Sequence, residues 1–171
     1  MPDIHITQPG VEKLLLDIKV GKASGPDEVP AKMLKELAPV IAKVLTSIYN
    51  ATLLHGSLPD DWLKANVCPV FKKGETFKAS NYRPVSLSCL CCKIMEHIVL
   101  SNMMNHIDNN NIFVDNQHGF RSKRSTESQL LITIDQLANN MCGGGQTDVI
   151  VLDFSKAFDK VDHRKIGRAH V

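Results

Sequence analysis

The sequence predicts an α+β fold, and three observations support that prediction. Four segments repeat apolar residues at helical spacing, two short apolar runs flank a basic polar segment, and residues 149–152 (VIVL) form an unbroken apolar run. These patterns are typical of helices, of a hairpin, and of a strand covered on both faces. The 171 residues, 43% hydrophobic with a net charge of +2, suffice for one domain with a core and exclude a disordered or collagen-like chain.

The N-terminal part is predicted to be helical. The first helix has Pro9 in its first turn and four apolar residues on one face: Val11, Leu14, Leu15 and Ile18. Residues 22–27 (KASGPD) interrupt this pattern and predict a loop. A longer helical pattern covers residues 34–48, where Pro39 is expected to bend the helix, and Gly56 is expected to end it.

A hairpin with a basic tip is predicted next. Residues 66–71 form a short apolar run, and Pro69 within it favours an edge strand. Residues 84–87 are expected to be the returning strand, and the polar segment between the two runs contains three lysines.

Two further helices are predicted in the second half of the chain. The third helix begins near Leu90 and ends in the asparagines at 109–111. The fourth has Ser125 or Thr126 as its N-cap. Its apolar face is formed by Leu130, Leu131, Ile134, Leu137, Ala138 and Met141.

Positive charge is concentrated in two segments. Between Trp62 and Arg83, one glutamate accompanies five basic residues, Lys64, Lys72, Lys73, Lys78 and Arg83. Residues 118–126 contain no acidic residue and three basic ones, Arg121, Lys123 and Arg124. Because the whole chain carries only +2, its remainder is net acidic. Such clusters favour a polyanionic partner, a nucleic acid or a nucleoside triphosphate, with two solvated loops as the alternative.

Asp153, directly after the apolar run, is the strongest candidate for chemistry. Sheet proteins commonly place metal or phosphate chemistry just past the carboxyl end of a buried strand, where a charge needs a cation or hydrogen bonds. Mg²⁺ with a substrate phosphate would meet that need, and a turn-capping role is the alternative. An aspartyl-phosphate phosphatase is disfavoured because its second acid would stand at Ser155. Few residues follow Asp153, so we expect the neighbouring strands to lie in sequence beyond this chain.

Two other motifs are weaker. Gly21 and Lys22 lack the earlier glycine of a phosphate-binding loop, since Leu16 stands at its position. Residues 89–92 (CLCC) contain a Cys-x-x-Cys at a helix start, where thiol pKa values fall, but no second pair of ligands has zinc spacing. We interpret these cysteines as small packing residues, and the odd count of five favours reduced thiols.

Six segments together carry a resemblance to a known family. They are KASGPD (22–27), LPDDW (58–62), PVFKKG (69–74), NYRPVSL (81–87), QHGFR (117–121) and LDFSKAFD (152–159). In this order they resemble the reverse transcriptases of non-LTR retrotransposons, in particular the jockey-like elements of animals. Several motifs in register are far more specific than any one of them alone.

The resemblance implies part of a right-hand polymerase fold. Residues 1–61 would be its helical N-terminal region, residues 62–146 the fingers, and residues 147–165 the start of the palm. The thumb and the rest of the palm would be missing. The last residues, 166–171 (IGRAHV), match one reading frame of a common sequencing adapter, so we expect them to be a non-native tail.

The resemblance also implies how the nucleotide would be bound. Lys72 or Lys73, together with Arg83, would hold the triphosphate of the incoming nucleotide, because arginine suits bidentate phosphate contacts and lysine acts as a point charge. Phe158 would lie beneath the sugar and reject a 2′-hydroxyl. These roles agree with the excess of positive charge in the predicted hairpin.

Template and metal residues follow from the same resemblance. The template strand would lie along Gln117, Gly119, Phe120, Arg121, Lys123 and Arg124. Gly119 would allow the backbone to approach the strand closely. Asp153 would be the first catalytic aspartate and would bind metal together with the main-chain carbonyl of Phe154.

The implied activity is RNA-directed DNA polymerisation by two-metal phosphoryl transfer. It would use two Mg²⁺ ions, an RNA template, a DNA primer and deoxynucleoside triphosphates. The family's further carboxylates come from an Asp-Asp hairpin, whereas the one Asp-Asp pair here is Asp60-Asp61 in an early loop. We therefore expect a polymerase fragment that is inactive alone. The alternatives are a decayed or domesticated nucleic-acid-binding copy and, more distantly, a helical interaction fragment.

No secretory signal or membrane-spanning segment is predicted. The chain has no run of 18 apolar residues, and its first residues lack a charged region followed by an apolar one. We therefore expect no membrane partner and an intracellular location, in cytoplasm and nucleus by the resemblance. The sequence does not indicate a protein partner.

Overall fold

The computed structural model describes residues 1–154, 157 and 160–162, which contain five α-helices, one β-hairpin and two short 3-10 helices, Asp60–Leu63 and Ala79–Asn81. Two units are distinguished, Met1–Phe113 and a second that begins at Val114. The predicted α+β class is confirmed as helices with a small sheet. Phe158 and the tail at 166–171 lie outside the described residues.

Three helices open the first unit: α1 (Gln8–Leu16), α2 (Ala31–Glu36) and α3 (Ala38–His55). The Thr7 side chain caps α1 by accepting a hydrogen bond from the Gly10 N–H, and Pro9 occupies the first turn as predicted. The predicted end of α3 is also confirmed, because Gly56 adopts the left-handed conformation with φ of 63°.

Pro39 interrupts the second helical pattern instead of bending it. Helix α2 ends at Glu36, Leu37 takes φ −93° and ψ 8°, and α3 begins at Ala38 with Pro39 in its first turn. A proline inside one continuous helix would lose a hydrogen bond and clash with the carbonyl four residues earlier. In the first turn its missing N–H has no partner to lose, so two helices replace the single predicted one.

The core of the first unit lies where α1 packs against α2, α3 and α4 (Leu90–Asn109). The buried face of α3 is formed by Ala38, Ala42, Leu45, Tyr49 and Thr52, at helical spacing. Helix α1 contributes Val11 and Leu15, and α4 contributes Leu90, Ile94 and Met95. The two alanines leave room for close helix packing, and Tyr49 supplies the largest fully buried side chain.

The predicted hairpin is confirmed as strands β1 (Asn66–Phe71) and β2 (Tyr82–Leu87), paired antiparallel. Pro69 stands opposite Pro84. The N–H of Lys72 donates a hydrogen bond of 2.9 Å to the carbonyl of Asn81, its cross-strand partner. Because hydrogen-bonded and non-hydrogen-bonded pairs alternate, the prolines form a non-hydrogen-bonded pair. Their missing N–H groups therefore leave the ladder intact.

The second unit contains α5 (Thr126–Cys142), whose prediction is confirmed with Ser125 as N-cap. Ser125 and Ser128 form a reciprocal capping box. The predicted apolar face is exposed, however, since Leu130, Ile134 and Met141 are 54%, 60% and 71% exposed.

Residues 149–152 do not form the predicted central strand. They have no regular secondary structure, and their side chains are 64–84% exposed. A strand needs neighbours that satisfy its backbone groups and cover its faces. Within the described part of the chain, the one sheet consists of β1 and β2, which pair with each other.

Candidate nucleic-acid interface

The hairpin positions its basic residues through a loop held by hydrogen bonds to main-chain oxygens. The Asn81 side-chain amide donates to the carbonyl of Glu75 over 2.8 Å, and the Tyr82 hydroxyl donates to the carbonyl of Thr76 over 2.7 Å. Gly74 turns the chain with φ of 92°, a conformation that favours glycine, and a Cβ there would meet the Asn81 side chain at 2.6 Å. The loop thus has a defined path between the strands.

Lys72 and Arg83 belong to the same face of this hairpin. Arg83 is opposite Val70, and Lys72 lies two residues beyond Val70, opposite Asn81. Side chains two residues apart share a face, so Lys72 and Arg83 are diagonal cross-strand neighbours. Lys73 follows directly beyond the ladder. The structure therefore places Lys72 and Arg83 on one face of the hairpin, with Lys73 next to Lys72 in the chain.

Lys72, Lys73 and Arg83 differ from two neighbouring lysines in their partners. Lys78 pairs with Glu75 at 2.5 Å, and Lys64 pairs with Asp61 at 3.2 Å. Lys72, Lys73 and Arg83 are exposed, and within residues 1–154, 157 and 160–162 they form no ion pair. Their charges are accordingly available to an anion in solution.

The second basic segment, in the other unit, is tied to the loop that precedes it. The Arg121 guanidinium donates to the carbonyl of Val114 over 3.1 Å. Arg124 donates to the carbonyl of Asp115 over 2.7 Å, and another of its nitrogens lies 3.8 Å from an Asp115 carboxylate oxygen. These bonds therefore fix both guanidiniums against the preceding loop.

Gly119 is not the source of the unusual backbone conformations in this segment. Its φ does not lie in the left-handed region, and a Cβ added to it would meet no atom within 4 Å. Phe120 and Lys123 take φ values of 60° and 61° instead. Non-glycine residues seldom adopt this conformation, which is often found at functional sites. No sequence pattern indicates these two φ values, because neither phenylalanine nor lysine favours the left-handed conformation.

Asp153 and Phe154 lie in exposed chain, so the burial argument for a cation at Asp153 is wrong. Their carboxylate and carbonyl oxygens are hard donors of the kind that Mg²⁺ takes, usually with one or two carboxylates and phosphate oxygens. Within the described residues, no group of three or more His, Cys, Asp or Glu side chains could hold a metal. Asp153 is therefore suited to supply one ligand of such an ion, and further ligands would be needed to complete the site.

The cysteines at the start of α4 are packing residues, as interpreted. Cys89 is the N-cap, and its sulfur accepts a 3.3 Å hydrogen bond from the Cys92 N–H. Burial raises the pKa of Cys91 to about 11 and that of Cys92 to about 12. The expectation that a helix start lowers these pKa values is wrong here, because loss of hydration outweighs the helix dipole.

Sequence reasoning did not identify Asn81 and Tyr82 as the residues that hold the basic loop. Their partners are main-chain carbonyls, which any residue type supplies. Only the path of the loop brings those carbonyls into reach. The one sequence feature that could have indicated this role is a tyrosine directly after a polar loop.

Comparisons with known proteins point to one family. A family model described as reverse transcriptase (RNA-dependent DNA polymerase) matches residues 70–169. The RNA-directed DNA polymerase from mobile element jockey of Drosophila melanogaster is 28% identical over 95% of this chain, and that of Drosophila funebris is 25% identical over 95%. The probable RNA-directed DNA polymerase from transposon BS of Drosophila melanogaster is 28% identical over 90%. The chain spans 17–18% of the length of these relatives.

Within the described part of the chain, no helix is both long and apolar enough to cross a membrane.

Proposed function

The chain belongs to the reverse transcriptase (RNA-dependent DNA polymerase) family, and from this premise we propose that it forms the nucleotide- and template-binding part of a non-LTR retrotransposon polymerase. The observation that carries the proposal is the shared hairpin face of Lys72 and Arg83, whose charges have no acidic partner in the described structure. A deoxynucleoside triphosphate is the ligand that such a face would attract in a polymerase.

The hairpin would act as the triphosphate clamp of the fingers. Arg83 would donate two parallel hydrogen bonds to phosphate oxygens, while Lys72 or Lys73 would add a point charge beside them. The hydrogen-bonded hairpin loop and the paired strands would fix these donors before the nucleotide binds. Less conformational entropy is then lost on binding. Phe158 would select deoxynucleotides by its bulk.

The segment at 117–124 would lie along the RNA template. Lys123, Arg121 and Arg124 would contact phosphates, while the bonds to Val114 and Asp115 hold the two guanidiniums in position. The Phe120 ring, 84% exposed, would offer a surface on which a template base stacks. Gln117 and Gly119 would lie along the template at the start of this segment.

Asp153 would supply the first catalytic carboxylate, and the Phe154 carbonyl would supply a second oxygen to the same Mg²⁺. When bound, two Mg²⁺ ions activate the primer 3′-oxygen and stabilise the leaving pyrophosphate. Asp153 is one carboxylate of the several that this chemistry requires. We therefore propose that the chain binds template and nucleotide but does not extend a primer alone.

The fold that goes with this function is part of a right-hand polymerase. Residues 1–61 would form the helical N-terminal region, residues 62–146 the fingers and residues 147–165 the start of the palm. The cytoplasm and the nucleus are the proposed locations, because a retrotransposon polymerase acts on RNA and on chromosomal DNA.

Binding of a labelled RNA–DNA primer-template, followed by fluorescence anisotropy at several salt concentrations, tests the proposal. Lys123→Ala should weaken binding and lower the slope of log K against log salt by roughly 0.7–0.9, the value for one lost phosphate contact. Lys32→Ala, an exposed lysine on α2, is the matched control and should leave both unchanged. An absence of salt-dependent binding would overturn the proposal. Primer extension by this chain in Mg²⁺ would overturn its catalytic part alone.

A further inference from the structure

A groove between α1 and α4 in the first unit has no role in the proposed polymerase chemistry. It encloses about 440 Å³ and has an aliphatic floor of Leu14, Ile18, Leu90 and Ile94. Truncation of one buried leucine opens about 150 Å³, so the groove has room for about three leucine-sized side chains. An occupant must therefore present several apolar groups together.

The rim of this groove is basic. Lys22 and Lys93 line it together with His97, opposed by Asp17 alone. Neither lysine forms an ion pair within the described residues. The aliphatic floor has no hydrogen-bond donors for the phosphates of a nucleic acid. The positive charge of the rim disfavours a basic ligand. These features fit an amphipathic helix whose charges are acidic.

Helix α5 has the complementary properties. Its exposed apolar side chains include Leu130, Leu131, Ile134 and Met141. Its charged residues are Glu127 and Asp135, and it contains no lysine or arginine. Glu127 lies three and four residues before Leu130 and Leu131, so an acid adjoins the N-terminal end of the apolar face.

We propose that the α1–α4 groove is a self-association site that receives helix α5 of a second copy of this chain. Apolar side chains of α5 enter the groove, while Glu127 and Asp135 face the lysines of the rim. The two surfaces differ, so the contact is heterologous and association extends beyond two copies unless the arrangement closes. None of these residues belongs to the proposed nucleotide or template sites, so this inference stands apart from the polymerase function.

Sedimentation velocity of the whole chain over a range of concentrations tests the proposal. We expect reversible association that is at least about tenfold weaker in a groove variant, Lys22→Glu with Lys93→Glu, and in a helix variant, Glu127→Lys with Asp135→Lys. An equimolar mixture of the two variants should associate, because the reversed groove of one meets the reversed helix of the other. Lys32→Glu with Lys43→Glu makes the same charge change away from the groove and should associate like the parent.

A second variant removes the apolar contribution. Leu130→Ser with Ile134→Ser changes exposed side chains, so circular dichroism should show an intact fold while association is lost. A parent chain that stays monomeric would overturn the proposal, as would a mixture of charge variants that fails to associate. Association abolished by ribonuclease would also overturn it, because bound RNA and not α5 would then connect the copies.

Discussion

The Tyr49 hydroxyl donates a hydrogen bond of 2.8 Å to the main-chain carbonyl of Cys91, which joins the middle of α3 to the first turn of α4. The Tyr49 side chain is fully buried, and its ring lies 5.6 Å from that of Trp62. Burial raises the pKa of Tyr49, so the hydroxyl keeps the proton that it donates. A polar atom in this position is costly unless it is bonded, so the bond fixes how the two helices pack.

Tyr49→Phe should lower the free energy of unfolding by about 1–2 kcal/mol, because the ring remains while the hydrogen bond to Cys91 is lost. Urea denaturation followed by circular dichroism measures the change. Tyr82→Phe removes a hydroxyl that donates to Thr76 in the exposed hairpin loop, and it should cost less than about 0.5 kcal/mol. Equal losses in the two variants would contradict the importance of the α3–α4 bond.

Gly25→Ala should destabilise the chain by about 1–3 kcal/mol through a steric clash. Gly25 is buried, and a Cβ there would clash with the backbone nitrogen of Cys89, which cannot move without displacing the start of α4. Gly21→Ala is the control, because a Cβ at Gly21 meets no atom within 4 Å and its φ needs no glycine. Thermal denaturation should show a lower midpoint for the first variant alone.

Local structure in this chain follows from local sequence. The helix N-caps at Thr7 and Ser125, the end of α3 at Gly56 and the hairpin were predictable, since each depends on residues close in sequence. The interruption at Pro39 could also have been predicted, because a proline that fits a first turn starts a helix more readily than it bends one.

Features that depend on distant parts of the chain were not predictable. The predicted burial of residues 149–152 required neighbouring strands on both sides. The described residues contain no strand that pairs with this segment, which is exposed. The shared face of Lys72 and Arg83 depends on a cross-strand register that two prolines permit but do not specify. The raised pKa values of the α4 cysteines reflect their burial in the folded chain, which outweighs the local helix start.

Stability should fall as the pH rises above about 8.5, the ordinary pKa of a cysteine thiol. Burial raises the folded-state pKa of Cys91 to about 11 and that of Cys92 to about 12, so the folded chain holds these protons more tightly than the unfolded one. Their contribution is complete below the unfolded pKa and is lost as the pH rises through the folded values. Urea titrations at pH 8 and at about 9.5, below the ordinary pKa of tyrosine, measure the loss.

Cysteine variants provide the control for this pH effect. Cys68 and Cys142 are exposed, so replacing both with alanine should leave the dependence on pH unchanged. Cys92→Ala should reduce it, although the same change also costs some packing at every pH. A pH dependence that survives in Cys92→Ala at full size would assign the effect to other groups.

Arg83 and Lys72 of the hairpin should contribute directly to nucleotide binding. Arg83→Ala and Lys72→Ala should each weaken the binding of a fluorescent deoxynucleoside triphosphate at least about tenfold, since a charge-assisted hydrogen bond contributes about 1.5–3 kcal/mol. Lys78→Ala, in the same hairpin, should have little effect because Lys78 is paired with Glu75. Arg83→Lys should restore part of the affinity, because it keeps the charge and loses the bidentate geometry. An equal loss in all three alanine variants would mean that the nucleotide senses only net charge and that the shared face of Lys72 and Arg83 is not its site.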